Sequence, residues 1–211
     1  VDGLSANIES FVDSLYEMLG ARTPVVGGGA GYLDFVQRPC LFCRLGMLED
    51  AALLVALESR IDSGIAHGWQ KLEGPFLVTR SHANVLEELN YLPAFEVYRH
   101  VVEEHSGLRF SESEFFNVSK TYPLGIESVD GDFLVRDPIR QIGNHLVCVG
   151  DVPQNATVYL LKGDAERLIA SAGDAAGQAL RGRQARTNGD GSHHYQALVF
   201  DCISRVLFLD K

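Results

Sequence analysis

Positive charge is scarce in this 211-residue chain: 18 Lys and Arg stand against 28 Asp and Glu, a formal net charge of −10. A phosphate backbone meets net repulsion from such a surface, so nucleic acid is not an expected partner. Long apolar runs are missing too. The fullest of them, "AALLVALE", falls well short of the ~20 residues that a spanning helix needs, so no membrane span is expected. No basic start followed by an apolar core marks a signal peptide, and the cytoplasm is the expected location. Cysteine is limited to Cys40, Cys43, Cys148 and Cys202. They lie in three apolar runs ("CLFCRL", "HLVCVG", "VFDCIS"), which suits buried thiols in a reducing compartment. Cys40 and Cys43 form a C-x-x-C without a second Cys or His pair at zinc spacing, so no metal is expected. There is one tryptophan, Trp69.

What is present is 46% hydrophobic and 22% charged, an ordinary globular balance with enough length for a substantial core. Ile8, Phe11, Val12, Leu15 and Leu19 recur at helical spacing, which predicts a helix over 5–19 with Ser5 as N-cap and Gly20 as its stop. Strands are expected at Pro24–Val26, Cys40–Leu45, Ala51–Glu58, Phe76–Arg80 and Val85–Leu89. A helix follows from Pro93 to His105, where the proline sits in the first turn and its missing N–H costs nothing. A short helix is expected over Glu112–Asn117, then strands at Leu124–Glu127, Phe133–Arg136, His145–Val149 and Thr157–Leu161. "SVDGDF" is a hairpin signal, because Asp-Gly supplies the positive φ of a tight turn. Asp164 caps a helix from Ala165 to about Leu180. "RGRQARTNGDGSHH" reads as a surface loop and Gln196–Ile203 as a last strand. Hairpins interrupted by three or four helices predict an α+β fold with mixed, largely antiparallel sheets. The most natural internal boundary is the "QKLEGP" segment near 70–75.

Chemistry is harder to find. "VVGGGAG" could present N–H groups to an anion, but no helix begins straight after it and no Gly-Lys-Ser/Thr is present. A sharp turn is the plainer explanation. Cys202 has His193 and His194 near it in sequence, and the remaining histidines are scattered without H-x-x-x-H spacing. A hydrolase or lyase using Cys202 or a histidine is therefore the alternative rather than the leading expectation. Arg80, Arg136 and Arg205 each end an apolar segment. Such residues are usually solvated or ion-paired, yet three converging guanidiniums would bind a carboxylate through their planar fork. Thr79 and Asn84 belong to the polar "TRSHAN" between two strands, most simply a hairpin tip. Trp69, beside His67 in "IAHGW", either walls a small-ligand pocket or plugs the core.

The run "GPFLVTRSHANVLEELNYLPAFEVYRHV", followed by "YPLGIE", "FLVRDP", "VGDVPQNATVYLL" and "LVFDCISR", resembles the C-terminal part of the FIST family, named for F-box and intracellular signal transduction proteins. "VDGLSAN", "PVVGGGAG" and "IAHGW" look like the end of that family's N-terminal part. The resemblance implies residues 1–72 from an N-type segment and 73–211 as a C-type domain. It also leaves the first portion of the N-terminal part and a closing G-x-x-x-x-G-E segment absent. Residues 1–72 are expected to supply the layer that would follow Arg205, giving one compact unit.

The family implies a sensory module of signal transduction that binds a small molecule, such as an amino acid or similar carboxylate. No catalytic residue set comes with the family and no cofactor is expected, and its output goes to a signalling protein or an attached effector domain. The candidate ligand contacts are then Arg80, Arg136, Arg205, Thr79, Asn84, His67, Trp69 and Cys202. A protein-interaction scaffold without a ligand is the remaining alternative.

Overall fold

The computed structural model describes residues 1–20, 22–110, 115–128, 131–184 and 196–209. The chain divides into two units, one of 1–67 with 169–203, the other of 68–168 with 204–211.

The first unit holds helix α1 (Ile8–Leu19) and a small hairpin, β1 (Leu41–Cys43) with β2 (Gly46–Leu48). The strand expected at 40–45 is thus a pair of short strands, because Gly46 (φ 112) lets the chain double back. Asn7, not Ser5, is the N-cap of α1. Ser5 Oγ instead donates to Asp50 Oδ1 at 2.6 Å. The expected strands at 24–26 and 51–58 do not form: both segments are irregular. A strand needs a ladder partner for its N–H and C=O groups, and apolar β-type composition does not provide one. Helix α4 (Ala165–Gln184) begins in the second unit and continues into the first. Asp164 caps it as expected, its Oδ1 accepting from Arg167 N–H at 3.0 Å.

The second unit carries the sheet. Its strands are β3 (Gln70–His82), β4 (Val85–Leu89), β5 (Leu92–Pro93), β6 (Leu124–Glu127), β7 (Phe133–Arg136), β8 (Pro138–Ile142), β9 (His145–Cys148) and β10 (Thr157–Lys162). Helices α2 (Ala94–Ser106), α3 (Phe115–Ser119) and α5 (Ile203–Leu209) accompany them. The α+β expectation holds: all ladders between these strands are antiparallel, in the order β7-β6-β10-β3-β4-β9-β8, with β5 alongside β4. β3 runs unbroken through "QKLEGP". Its first half pairs with β10 and its second half with β4, so one long strand serves both halves of the sheet.

The two edge strands of that order, β7 and β8, are separated in sequence by a single residue, Asp137. Seven flat strands spaced about 4.8 Å apart would hold their edges roughly 29 Å from each other. One intervening residue reaches about 7 Å at most. The sheet therefore curls until its edges almost meet, and Asp137 bridges the seam.

Burial follows the strand alternation. On β10, Val158 and Leu160 point into the main core with Val78, Leu86, Leu89, Leu124, Leu146 and the α2 residues Phe95, Tyr98, Val101 and Val102. Tyr159 and Leu161 point the other way, into a second cluster with Trp69 and Leu168, against which Phe208 of α5 packs. α2 ends at Gly107 (φ 71), whose N–H reaches Glu103 O, the left-handed stop that glycine takes without strain.

Two further expectations are corrected here. Gln196–Ile203 is not a strand: 196–202 are irregular and Ile203 opens α5. Of the four cysteines in the apolar runs expected to bury them, only Cys148 is buried. Cys40 and Cys43 are half-buried and Cys202 is exposed. The short helix predicted at 112–117 is found as α3, with 112–114 outside the described residues.

Candidate functional site

The "TRSHAN" hairpin tip is a set of structural bonds. Ala83 (φ 48) and Asn84 form the two-residue turn between β3 and β4. Asn84 Nδ2 donates to Cys148 O at 2.9 Å, and Cys148 N–H donates back to Asn84 O at 2.9 Å. Thr79 Oγ1 accepts from Tyr91 N–H at 3.0 Å. Arg80 pairs with Glu87 at 2.7 Å and with its cross-strand partner Glu88 at 2.8 Å, while more than half of its side chain stays exposed.

Arg136 lies elsewhere. It is buried at the end of β7, with Nε donating to Asp151 O at 2.7 Å and Nη1 to Val135 O at 3.2 Å. Arg205, on α5, donates from Nη1 to Leu168 O at 2.6 Å. Arg136 and Arg205 are the sequence neighbours of Asp137 and Ser204, which are joined by a hydrogen bond. Arg80 belongs to the β3–β4 hairpin. Trp69 is buried edge-on to Phe208 with ring centroids 5.5 Å apart. His67 is half-buried and Cys202 exposed, both in the first unit.

Sequence reading missed the buried polar cluster at the seam. Ser204 Oγ donates to Asp137 Oδ2 at 2.5 Å, and Ser119 Oγ donates to Pro138 O at 2.7 Å. Among the described residues, Asp137 Oδ1 is the one buried side-chain oxygen or nitrogen without a hydrogen-bond partner. Burial drives the Asp137 carboxyl above the ordinary carboxylate value. The Ser204 hydroxyl and the Arg136 charge pull the other way without cancelling it. Cys148 is pushed up to about 12 by burial, with the Asp137 charge adding to it. Tyr98, fully buried and donating to Tyr122 O at 2.7 Å, is also raised, chiefly by burial. The one signal in the sequence was the aspartate between two strand-like runs in "FLVRDPIRQI".

On the same two elements lies an open groove of about 550 Å³, lined by Phe115 and Phe116 of α3, Ile139, Arg140 and Gln141 of β8, and the Gly143–Asn144 turn. The Ser119–Pro138 bond fastens α3 to the start of β8 and so fixes the groove's two walls. Gln141 Nε2 is held by Gly143 O at 2.8 Å, and Asn144 O accepts from Phe95 N–H at 3.0 Å. Arg140 is exposed at the rim and makes no ion pair or side-chain hydrogen bond among the described residues. It is thus a guanidinium with all its donors available beside aromatic surface and a fixed amide. A second hollow of about 460 Å³ is lined by Ile126, Glu127, Ser128, Gly131, Ala156 and Thr157, and its one charge is acidic. Among the described residues, no three His, Cys, Asp or Glu side chains gather as metal ligands.

A curled antiparallel sheet with its own groove and a buried seam defines an α+β module. The family comparison adds two matches, a FIST N domain over residues 1–91 and a FIST C domain over 94–211. The chain belongs to the FIST family, whose domains act as sensory modules in signal transduction. No curated protein and no solved structure matches it. No helix among the described residues is long and apolar enough to cross a membrane.

Proposed function

We propose that this chain is a ligand-sensing module that takes a small carboxylate, such as an amino acid, in the α3–β8 groove. Its binding is read out through a signalling partner or an attached effector domain in the cytoplasm. Arg140 carries the reading. It is a guanidinium at the rim of a 550 Å³ groove with no intramolecular partner among the described residues, whereas Arg80, Arg136 and Arg205 already have theirs. A fork of this kind receives a carboxylate in bidentate fashion, and Phe116 offers apolar contact to the rest of a small ligand.

The test is calorimetric titration of the chain with amino acids and small carboxylates, repeated on Arg140→Ala. Binding by the parent is expected. Loss of a charge-assisted pair of about 1.5–3 kcal/mol weakens it by roughly tenfold or more. Silence across the whole ligand set would remove the sensor reading. Binding that survives Arg140→Ala unchanged would move the site elsewhere.

A further inference from the structure

β8 stands last in the sheet order, with β9 as its one ladder neighbour, so one of its long sides is open. The backbone bonds around β9 fix which groups that side offers. Cys148 N–H donates to Asn84 O, toward β4, whereas Val149 N–H donates to Asp137 O, on the β8 side. In an antiparallel ladder successive residues turn their N–H and C=O groups to alternate sides. Leu146 and Cys148 therefore address β4, and His145 and Val147 address β8. Their partners across the ladder are Ile142 and Arg140. Gln141, opposite Leu146, is left with its N–H and C=O directed away from β9, along the open side.

The α3–β8 groove runs along that same side. Arg140 and Gln141 are consecutive in a stretch of ladder without a register shift, so their side chains leave opposite faces of the sheet. A hollow that touches both approaches the strand from its edge, not over one face. Ile139 is the extra residue at the irregularity between Pro138 and Arg140, which limits the regular edge to Arg140–Ile142. At about 3.4 Å per residue, three residues of another strand cover that length. Arg140 is the single charge in the lining, is exposed, and has no partner among the described residues. Half-buried Phe116 forms the facing wall.

We propose that the groove takes an extended peptide segment, added antiparallel to the β8 edge with an acidic residue opposite Arg140. The residue before the acid exchanges two backbone hydrogen bonds with Gln141. The acid itself then occupies a non-hydrogen-bonded pair, the position where facing side chains come closest, and its carboxylate meets the guanidinium fork. A free amino acid can use Arg140 but leaves the edge groups of Gln141 to water. This inference rests on the α3–β8 groove being the carboxylate site proposed above, and it narrows the ligand to a strand-forming acidic peptide.

The probe is the capped pentapeptide acetyl-Thr-Val-Glu-Val-Thr-amide, whose glutamate is its only carboxylate, titrated calorimetrically into the intact chain beside free glutamate. The peptide is expected to bind more tightly than glutamate. Glutamine in place of its glutamate, or Arg140→Ala in the protein, should weaken it roughly tenfold, and the two changes together should add little more. N-methylation of the first valine removes the donor aimed at Gln141 O and should also cost roughly tenfold. N-methylation of the glutamate, whose N–H points away from β8, should change little. Equal response to the two methylations would overturn strand addition, as would peptide binding that ignores Arg140→Ala. Arg140-dependent binding of glutamate with silence toward the peptide would overturn strand addition and leave the small-carboxylate reading standing. Silence toward both ligands would remove both.

Discussion

Ser204 and Asp137, 67 residues apart in the chain, meet through an Oγ–Oδ2 hydrogen bond of 2.5 Å at the point where the edges of the curled sheet approach each other. Arg136 and Pro138 flank the aspartate, and the carbonyl of Asp137 accepts from Val149 N–H at 2.9 Å. One residue thus bridges two edge strands with its backbone and holds a helix with its side chain.

The two buried aspartates should titrate in opposite directions. Asp2 is expected below the ordinary carboxylate value and Asp137 above it. Side-chain carbon shifts measured by NMR across the acid range check this directly. By linkage, Asp2 contributes stability that disappears as pH falls, whereas the contribution of Asp137 disappears as pH rises. An Asp137 that titrates below an exposed aspartate would contradict the description of the seam.

Removing a partner from a buried polar pair costs the desolvation of what remains. Ser204→Ala leaves Asp137 without any donor, and Tyr98→Phe leaves Tyr122 O without the hydroxyl that reaches it at 2.7 Å. Each is expected to lower unfolding free energy by about 1–3 kcal/mol in denaturant titrations. For Ser204→Ala the loss should shrink in a chain already carrying Asp137→Asn, because the two residues share one interaction.

Three of the four thiols should separate by accessibility. Cys202 is exposed and is expected to alkylate in the native protein. Cys40 should lag behind it, since burial and the nearby Asp2 charge raise its thiol. Cys148, buried and pushed up to about 12, should stay unlabelled until the second unit opens. Peptide mapping after timed iodoacetamide exposure reads all three rates, and its Cys148 rate in mild denaturant measures opening of the core.

Gly163 sits where a β-carbon would lie 2.5 Å from the Trp69 ring and 2.7 Å from the Phe208 ring. Gly163→Ala must push the two aromatics apart, an overpacking cost of about 1–3 kcal/mol. Lower thermal stability and red-shifted Trp69 emission at fixed pH are the expected readings.

The regular parts of the sheet were legible because hydrophobic alternation and turn residues agreed there. β4, β6 and β7 fall at the expected residues, and α2 lies within one residue of its expectation. β8 was missed because Pro138 reads as a strand breaker; it is tolerated as the first residue of an edge strand, where its absent N–H costs no ladder bond. "QALVFDCI" misled in the other direction: its composition favours a strand, but residues 196–202 are irregular and its last residue starts α5. The site was the least legible part. Arginine at a strand end is a local pattern, whereas Arg140 becomes interesting only when α3 forms the facing wall of its groove. Asp137 becomes interesting only once strands at opposite ends of the sheet order are known to converge on it.

The brevity of the bridge between β7 and β8 has a mechanical consequence. A joint with no slack cannot let the sheet flatten or tighten while its side chain keeps the same hold on Ser204. Curvature and helix position therefore vary together, and even a short insertion after Arg136 would disconnect them. The Gly143–Asn144 turn between β8 and β9 holds α2 through the Asn144 carbonyl and not α5, so extra residues there should leave α5 undisturbed.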